Sequence, residues 1–198
     1  VRNATDIITG AADKKARYYY QDGTKRWTEE NTAQKKVDAV DADRDVVAFG
    51  HDGGKIFYEY PNGTNIWTAS ISTPVNDLDI LEDNTVGNKD GGVIVVGDNG
   101  YSYKFNNSGS LDYKFRTNNN RKYAVDTGGE KKYFYTASAD DSVRKHWVKN
   151  GTVVWSYQAS PSANVFDVDF DSVPETEEVN PNRWVYAGYS DSYLRAIY

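Results

Sequence analysis

The sequence predicts an all-β fold of repeated four-stranded antiparallel blades, a β-propeller, and three observations carry that prediction. A glycine followed four residues later by a large aromatic occurs four times, as Gly23…Trp27, Gly63…Trp67, Gly109…Tyr113 and Gly151…Trp155. The aromatics fall 40, 46 and 42 residues apart, the period of one four-stranded blade and not of a helical solenoid built from shorter units. Aromatic residues reach 14%, with sixteen tyrosines and five tryptophans, a bias toward strands.

Each repeat resolves into four short strands. Strand a has the form Val/Tyr-x-x-Val/Leu-Asp and is read at Val37 to Asp41, Val75 to Asp79, Lys122 to Asp126 and Val165 to Asp169. Strand b is a run of small and β-branched residues ending near glycine or serine, at Ile7 to Gly10, Val46 to Gly50, Val93 to Gly97, Tyr133 to Ser138 and Trp184 to Gly188. Short continuous apolar runs bounded by turn residues fit strands covered on both faces. A tight acidic turn follows, with Asp13, Asp52, Asp98, Asp141 and Asp191. Strand c then ends in an aromatic, at Tyr20, Tyr60, Phe105, Trp147 and Tyr198. Asp22-Gly23, Asn62-Gly63 and Asn150-Gly151 mark the c to d hairpins and suit a type I′ turn, while the third, Asn106 to Gly109, reads as longer. Strand d carries the aromatic of the opening motif.

These repeats make residues 1–198 a single domain, with copies at 1–34 (partial), 35–73, 74–118, 119–161 and 162–198 (partial). The count is four a, five b, five c and four d strands, so the first copy lacks strand a and the last lacks strand d. About four to five blades are expected. Three arrangements fit: part of a larger ring, a compact ring closed irregularly, or an open array completed by another chain. Glu82 to Gly92 and Asp171 to Asn182 are the longest interruptions, both between a and b. The second is acidic and bears Pro174 and Pro181, as a solvated loop would; insertions on rigid scaffolds are also common places for partner binding.

Composition narrows the function classes. The net charge is −6 and basic pairs such as Lys14-Lys15 and Lys131-Lys132 are dispersed, which argues against nucleic acid or an anionic membrane as partner. No apolar stretch approaches the roughly 20 residues that span a bilayer, so membrane insertion is not expected. Without cysteine there is neither a disulfide framework nor a thiolate metal site. The absence of methionine and a start at Val1 suggest a processed chain or a piece of a longer one.

The order a, b, acidic turn, c, Asn-Gly, then d with tryptophan at glycine plus four resembles the PQQ-like and WD-like β-propeller repeat families. Gly63-Thr64-Asn65-Ile66-Trp67 and Gly151-Thr152-Val153-Val154-Trp155 are similar to the Gly-x-x-x-Trp end of the PQQ-type repeat. In that family the tryptophan docks between neighbouring blades, which implies a role as blade staples for Trp27, Trp67, Tyr113 and Trp155. Enzymes of the superfamily hold a quinone on a calcium ion at the propeller axis, in many cases beneath a vicinal disulfide. This chain has no cysteine and no recognisable calcium-ligand set, and the Gly-His pair of the WD repeat is missing. The resemblance therefore points to the non-enzymatic members that act as binding scaffolds.

The candidate chemistry is sparse. Asp41, Asp79, Asp126 and Asp169 share one position of the innermost strand, where carboxylates near the axis could bind calcium or could pair with the neighbouring blade. The Asp41 to Asp45 run, with Asp52, lacks the glycine and closing glutamate of an EF-hand and reads as a turn. His51 and His146 have no spaced partners for zinc or for a nucleophilic triad. Sequons occur at Asn3, Asn62, Asn106 and Asn150, three of them in c to d hairpins that share one face of a propeller. The acidic b to c turns bias the opposite face toward basic or cation-bridged partners.

The sequence thus leads to the expectation of a non-catalytic, extracellular or cell-surface propeller that binds a protein or glycan through a loop face, with no resident cofactor. Two alternatives stand beside it. One is a subunit of a surface layer, appendage or virion that self-assembles by completing blades between chains; the other is a calcium- or cofactor-binding enzyme of quinoprotein type.

Overall fold

In the computed structural model of the chain, the described residues are 6–30, 35–43, 45–81, 91–128, 132–159, 162–170 and 184–197. Among them are eighteen strands and no helix, arranged as five antiparallel meanders. The first sheet holds β1 (Asp6–Gly10), β2 (Lys15–Tyr20) and β3 (Lys25–Glu30). The second holds β4 (Val37–Ala42), β5 (Val47–His51), β6 (Lys55–Glu59) and β7 (Asn65–Ser70). The third holds β8 (Val75–Leu81), β9 (Gly92–Gly97), β10 (Tyr101–Asn106) and β11 (Leu111–Arg116). The fourth holds β12 (Lys122–Asp126), β13 (Tyr133–Ser138), β14 (Ser142–Trp147) and β15 (Val153–Gln158). The fifth holds β16 (Val165–Phe170), β17 (Val185–Tyr189) and β18 (Leu194–Ile197). The chain is a β-propeller array of five blades, and among the described residues the strand count matches the repeats, with no strand a in the first sheet and no strand d in the fifth.

Alternation of side chains about each strand gives every blade one face toward its predecessor and one toward its successor. Ala48, Ile56, Tyr58 and Trp67 leave the second blade to pack on Val75, Val93, Val95, Tyr103 and Phe105 of the third. Ile94 and Val96 leave the third for Val125 and Phe134 of the fourth, and Tyr135 leaves the fourth for Phe170 of the fifth, ring centroids 4.6 Å apart. The central strands β5 and β9 are buried along their whole length, which is why they read as unbroken apolar runs.

Two irregularities recur. Strand a carries a bulge in all four copies, at Asp38, Asn76, Tyr123 and Phe166. The c to d hairpins are not type I′ turns: Gly23, Gly63, Gly109 and Gly151 have positive φ, but Asp22, Asn62, Ser108 and Asn150 do not. The first three are three-residue loops in which the glycine N–H donates to the carbonyl three residues back, Tyr20, Tyr60 or Asn106, followed by a register shift. This is a type I turn with a glycine bulge, and Pro61 suits its second position. The third hairpin has the same length as the first two, and its strand c ends on Asn106, one residue past Phe105. The longer hairpin is the fourth, where Gly151 N–H reaches back four residues to Trp147.

Inner strands pack in chain order, β1 on β4, β4 on β8, β8 on β12 and β12 on β16. The outward faces of the first and fifth blades are uncovered among the described residues, so the irregularly closed ring is not the arrangement found: Ile7 is 54% and Leu194 72% exposed.

Candidate functional site

The aspartates of strand a do meet the neighbouring blade. Asp41 accepts the Ile80 N–H with Oδ2 at 2.8 Å and its own successor's N–H, from Ala42, with Oδ1. Asp79 accepts from Thr127 N–H, and Asp126 from Phe170 and Gly128 N–H. Each carboxylate therefore clamps the inner strand of its own blade to that of the next, satisfying a backbone donor that the sheet leaves open at its axial edge. Burial, with Asp41 beside it, raises the Asp79 carboxyl well above the usual range, and burial raises that of Asp126 as well. Among the described residues no group of three or more acidic or histidine side chains is disposed to hold a metal ion. The geometry assigns Asp41, Asp79 and Asp126 to blade clamping; Asp169 occupies the same register in the last blade, paired with Tyr186 across the sheet.

A second tier of the clamp escaped the sequence reading. Asp77, two residues before Asp79, accepts Val125 N–H at 2.8 Å and Leu78 N–H at 2.9 Å. Burial, aided by Asp167 and Asp41, pushes its carboxyl up to about 7. Asp167 is its counterpart in the fifth blade and accepts Val168 N–H at 3.0 Å. The signal was the repeated Asp-x-Asp of Asp77 and Asp79 and of Asp167 and Asp169, at a place where the second and fourth blades have Ala39 and Ala124. The bulged Asn76 adds a further tie, its amide donating to Asp98 and to the Lys122 carbonyl of the next blade, both at 2.8 Å.

The four repeat aromatics sit where staples belong. Trp27 stacks on Tyr18 and donates from Nε1 to the Pro61 carbonyl in the next blade's hairpin at 3.0 Å. Trp67 stacks on Tyr58, tilts against Phe105 and covers Gly109, where an added Cβ would lie 2.7 Å from its ring. Tyr113 donates its hydroxyl to the Val148 carbonyl, and Phe115 covers Gly151. Trp155 packs against the cluster shared by the fourth and fifth blades, its ring 6.1 Å from Tyr135. The glycine of one hairpin thus makes room for the aromatic of the preceding blade, so the two ends of the repeat motif serve different interfaces.

The acidic turns are largely neutralised within the chain. Asp13, Asp140 and Asp191 are each forked by the arginine four residues on, Arg17, Arg144 and Arg195, and Asp98 by Arg121. The hydrogen bond from Arg17 holds the Asp13 carboxyl below its ordinary value, as that from Arg195 does for Asp191. Four of the five b to c turns therefore hold an aspartate paired with an arginine of the same chain, while Asp52 has Ile56 at its fourth place.

Both histidines serve the fold. His146 is fully buried, donates from Nδ1 to the Gly151 carbonyl and accepts the Thr136 hydroxyl on Nε2; burial pushes it down to about 3 and keeps it neutral. His51 accepts Gly53 N–H on Nδ1 at 2.9 Å. Two other buried ionisable groups were not legible as pairs: Lys122, pushed down to about 8 by burial, donates to Thr117 Oγ1, and Glu59 is pushed up to about 7 by burial and by Glu29 across the first blade boundary. The turn at Asp41 to Asp45 is closed by Asp43 N–H donating to Val46 O, the a to b turn that was expected.

The sequon asparagines act first as turn residues. Oδ1 of Asn62 accepts Thr64 N–H and that of Asn150 accepts Thr152 N–H; both side chains are exposed. Asn106 is half-buried and donates its amide to Asp112 at 2.8 Å. Asn3, most of the Glu82 to Gly92 interruption, the whole Asp171 to Asn182 loop and Tyr198 lie outside the described residues.

What distinguishes one region from the rest is exposure of apolar side chains at positions that are buried elsewhere. Ala48, Ile94, Tyr135 and Tyr186 share one register and all face the following blade; the first three are at most 1% exposed and Tyr186 is 36% exposed. Ile56 is fully buried, whereas Leu194 at the same register is 72% exposed. On the other flank Ile7 is 54% exposed where Val47 and Val93 are 0%.

Comparison with known proteins supports the architecture. No family model and no curated protein matches the sequence. Among solved structures, the computationally designed Ika8 protein superimposes with a TM-score of 0.76 at 16% identity, covering 100% of this chain and 57% of that one. BamB from Moraxella catarrhalis, a PQQ-like β-propeller, gives 0.71 at 18% identity over 98% of this chain and 55% of its own. The designed Ika4 protein gives 0.65 at 15% identity, with 83% and 92% covered. The chain spans little more than half the length of the first two. The likeness is one of fold, and the PQQ-like repeat suggested by the Gly-x-x-x-Trp motifs fits it.

Proposed function

We propose that the chain is a non-catalytic interaction module, a rigid propeller scaffold that binds protein partners by shape and carries out no bond chemistry. The observation behind this reading is the uncovered flank of the fifth blade, where Tyr186 and Leu194 stand exposed beside Asp167 and Asp169. Contiguous apolar surface rimmed by polar groups is a signature of interaction sites. Asp41, Asp79, Asp126 and His146, which would otherwise invite a catalytic reading, are engaged in clamps and a buried hairpin contact.

A photo-cross-linking residue placed at Leu194 tests the proposal in the native source. A discrete protein adduct is expected there and not from a control position at Lys149, which is exposed on a hairpin. The same background at both positions would refute it. We also propose an extracellular or cell-surface location, for which exposed Asn62 and Asn150 provide acceptor sites; glycopeptide mapping of the native protein decides the matter, bare asparagines at both places counting against it.

A further inference from the structure

The strand a clamps of the second, third and fourth blades differ in one atom. Asp41 spends both carboxyl oxygens on backbone donors, Oδ1 on Ala42 N–H and Oδ2 on Ile80 N–H, each at 2.8 Å. Asp126 does the same, with Oδ1 on Gly128 N–H at 2.7 Å and Oδ2 on Phe170 N–H. Asp79 stands between them and gives only Oδ2 to a backbone donor, Thr127 N–H; among the described residues no N–H reaches its Oδ1. The Asp79 carboxyl is instead hydrogen-bonded to Asp41 on one side and to Asp126 on the other. Two carboxylates can only accept, so a hydrogen bond between them requires a proton. Backbone donors hold both oxygens of Asp41 and of Asp126, which favours their charged forms, and the proton therefore belongs on Asp79 Oδ1.

We propose that this proton is a latch on the axis of the propeller. While Asp79 holds it, the inner strands β4, β8 and β12 are tied into one hydrogen-bonded chain that runs through three blades. When it leaves, three carboxylates in contact repel one another and the strands loosen. The scaffold is thus tighter in acid than in mild alkali, a property that goes beyond partner binding.

The surroundings supply no substitute for the proton. The strands packed on β8 are β4, β5, β9 and β12. Asp79 is faced by Asp41 from β4, by Asp126 from β12 and by Asp77 two places back on its own strand, while Asp167 and Asp169 of β16 act on Asp77 and Asp126 from beyond. The remaining charged or titratable groups of these strands are turned elsewhere. Asp38 pairs with Lys36, Lys122 donates to Thr117 Oγ1 at 3.0 Å, Lys55 and Glu59 lie outside these four strands on β6, and His51 lies beside Phe57 at the boundary with the first blade; β9 has none. Burial and the charge on Asp41 raise the Asp79 carboxyl well above its ordinary value of 3.8, the direction that a retained proton requires. A carboxyl raised in this way stabilises fully below its ordinary value, and that share is lost as pH climbs through the folded one.

Amide hydrogen exchange of the full chain, corrected for intrinsic rates, tests the latch at Ile80 and Thr127, the donors held by Asp41 and Asp79. Their protection should fall roughly tenfold or more between about pH 5 and about pH 9, and unchanged protection overturns the proposal. Asp79→Asn mimics the protonated side chain, with an oxygen for Thr127 N–H and an amide to donate to the flanking carboxylates. Protection in this variant should stay level across the same range; a fall equal to that of the wild type overturns the latch. Asp77→Asn should keep the fall at both amides, and its loss there with retention in Asp79→Asn would place the proton elsewhere and likewise overturn it. Should Asp79→Asn fail to fold, Asp41→Asn leaves Asp79 in place and removes the neighbouring charge. The Asp79 titration, followed by carboxyl carbon NMR, should then move down by about one pH unit, and an unmoved midpoint counts against the proposal.

Discussion

The hairpin glycines provide a graded test of blade stapling. Gly23, Gly63 and Gly109 have nearly the same backbone, with φ of 82°, 83° and 79°, in loops of identical length. Alanine at any of them costs about 1–2 kcal/mol for placing a Cβ in the left-handed region. Their surroundings differ. A Cβ at Gly23 meets nothing within 4 Å; at Gly63 it lies 3.5 Å from Trp27, an ordinary contact; at Gly109 it lies 2.7–2.9 Å from Trp67. Gly23→Ala and Gly63→Ala should therefore lose only the conformational share. Gly109→Ala must also move an indole that is 8% exposed, stacked 4.7 Å from Tyr58 and wedged against Phe105, which adds about 1–3 kcal/mol of overpacking. Urea unfolding followed by tryptophan fluorescence measures the three variants on one scale. Equal losses at Gly23 and Gly109 would refute the idea that the third hairpin seats the second blade's tryptophan.

Two further predictions concern charge. The Asp77 carboxyl, raised by burial from 3.8 to about 7, favours its neutral form in the folded chain; its stabilising share is full below the ordinary carboxyl value and is lost progressively as pH climbs to about 7. A shift of about 3 pH units sets a ceiling on the order of 4 kcal/mol, so Asp77→Asn should flatten the stability profile between pH 4.5 and 8, and parallel profiles would refute this. The Asp-Arg forks should differ with burial: Arg144→Ala, where both side chains are at most 15% exposed, should cost about 3 kcal/mol, whereas Arg17→Ala, on the more exposed pair, should cost far less by the same unfolding measurement.

Much of the fold was legible because the information is local and repeated. Val93 to Gly97 reads as a strand covered on both faces, and it is one. Turn chemistry was legible only in part: Asn-Gly was right for a hairpin, but the turn type depends on whether the residue before glycine also adopts positive φ, which the dipeptide alone does not dictate. Hairpin length is not legible at the third repeat, because Phe105 is an aromatic like those near the end of strand c elsewhere, whereas the register places Asn106 there. The site was less legible still. Asp41, Asp79 and Asp126 were found from their shared position, yet their role as clamps depends on N–H groups 39 to 48 residues away. Asp77 carries no repeat signal, because only two of the four strand a copies have a carboxylate there.

The chain's own sequence determined the blade period, the order of strands and the count of eighteen, because each follows from side-chain alternation and turn residues within one repeat. The tertiary structure alone decided which of those residues are structural and which are available. Tyr135 and Tyr186 are the same residue at the same register on the same face, and one is 1% exposed, the other 36%. Arg144 quenches Asp140 because a hairpin folds the arginine back over the turn, and no composition or charge count contains that approach. Burial is set by what a neighbouring blade places over a side chain, and that neighbour is known only once the blades are stacked.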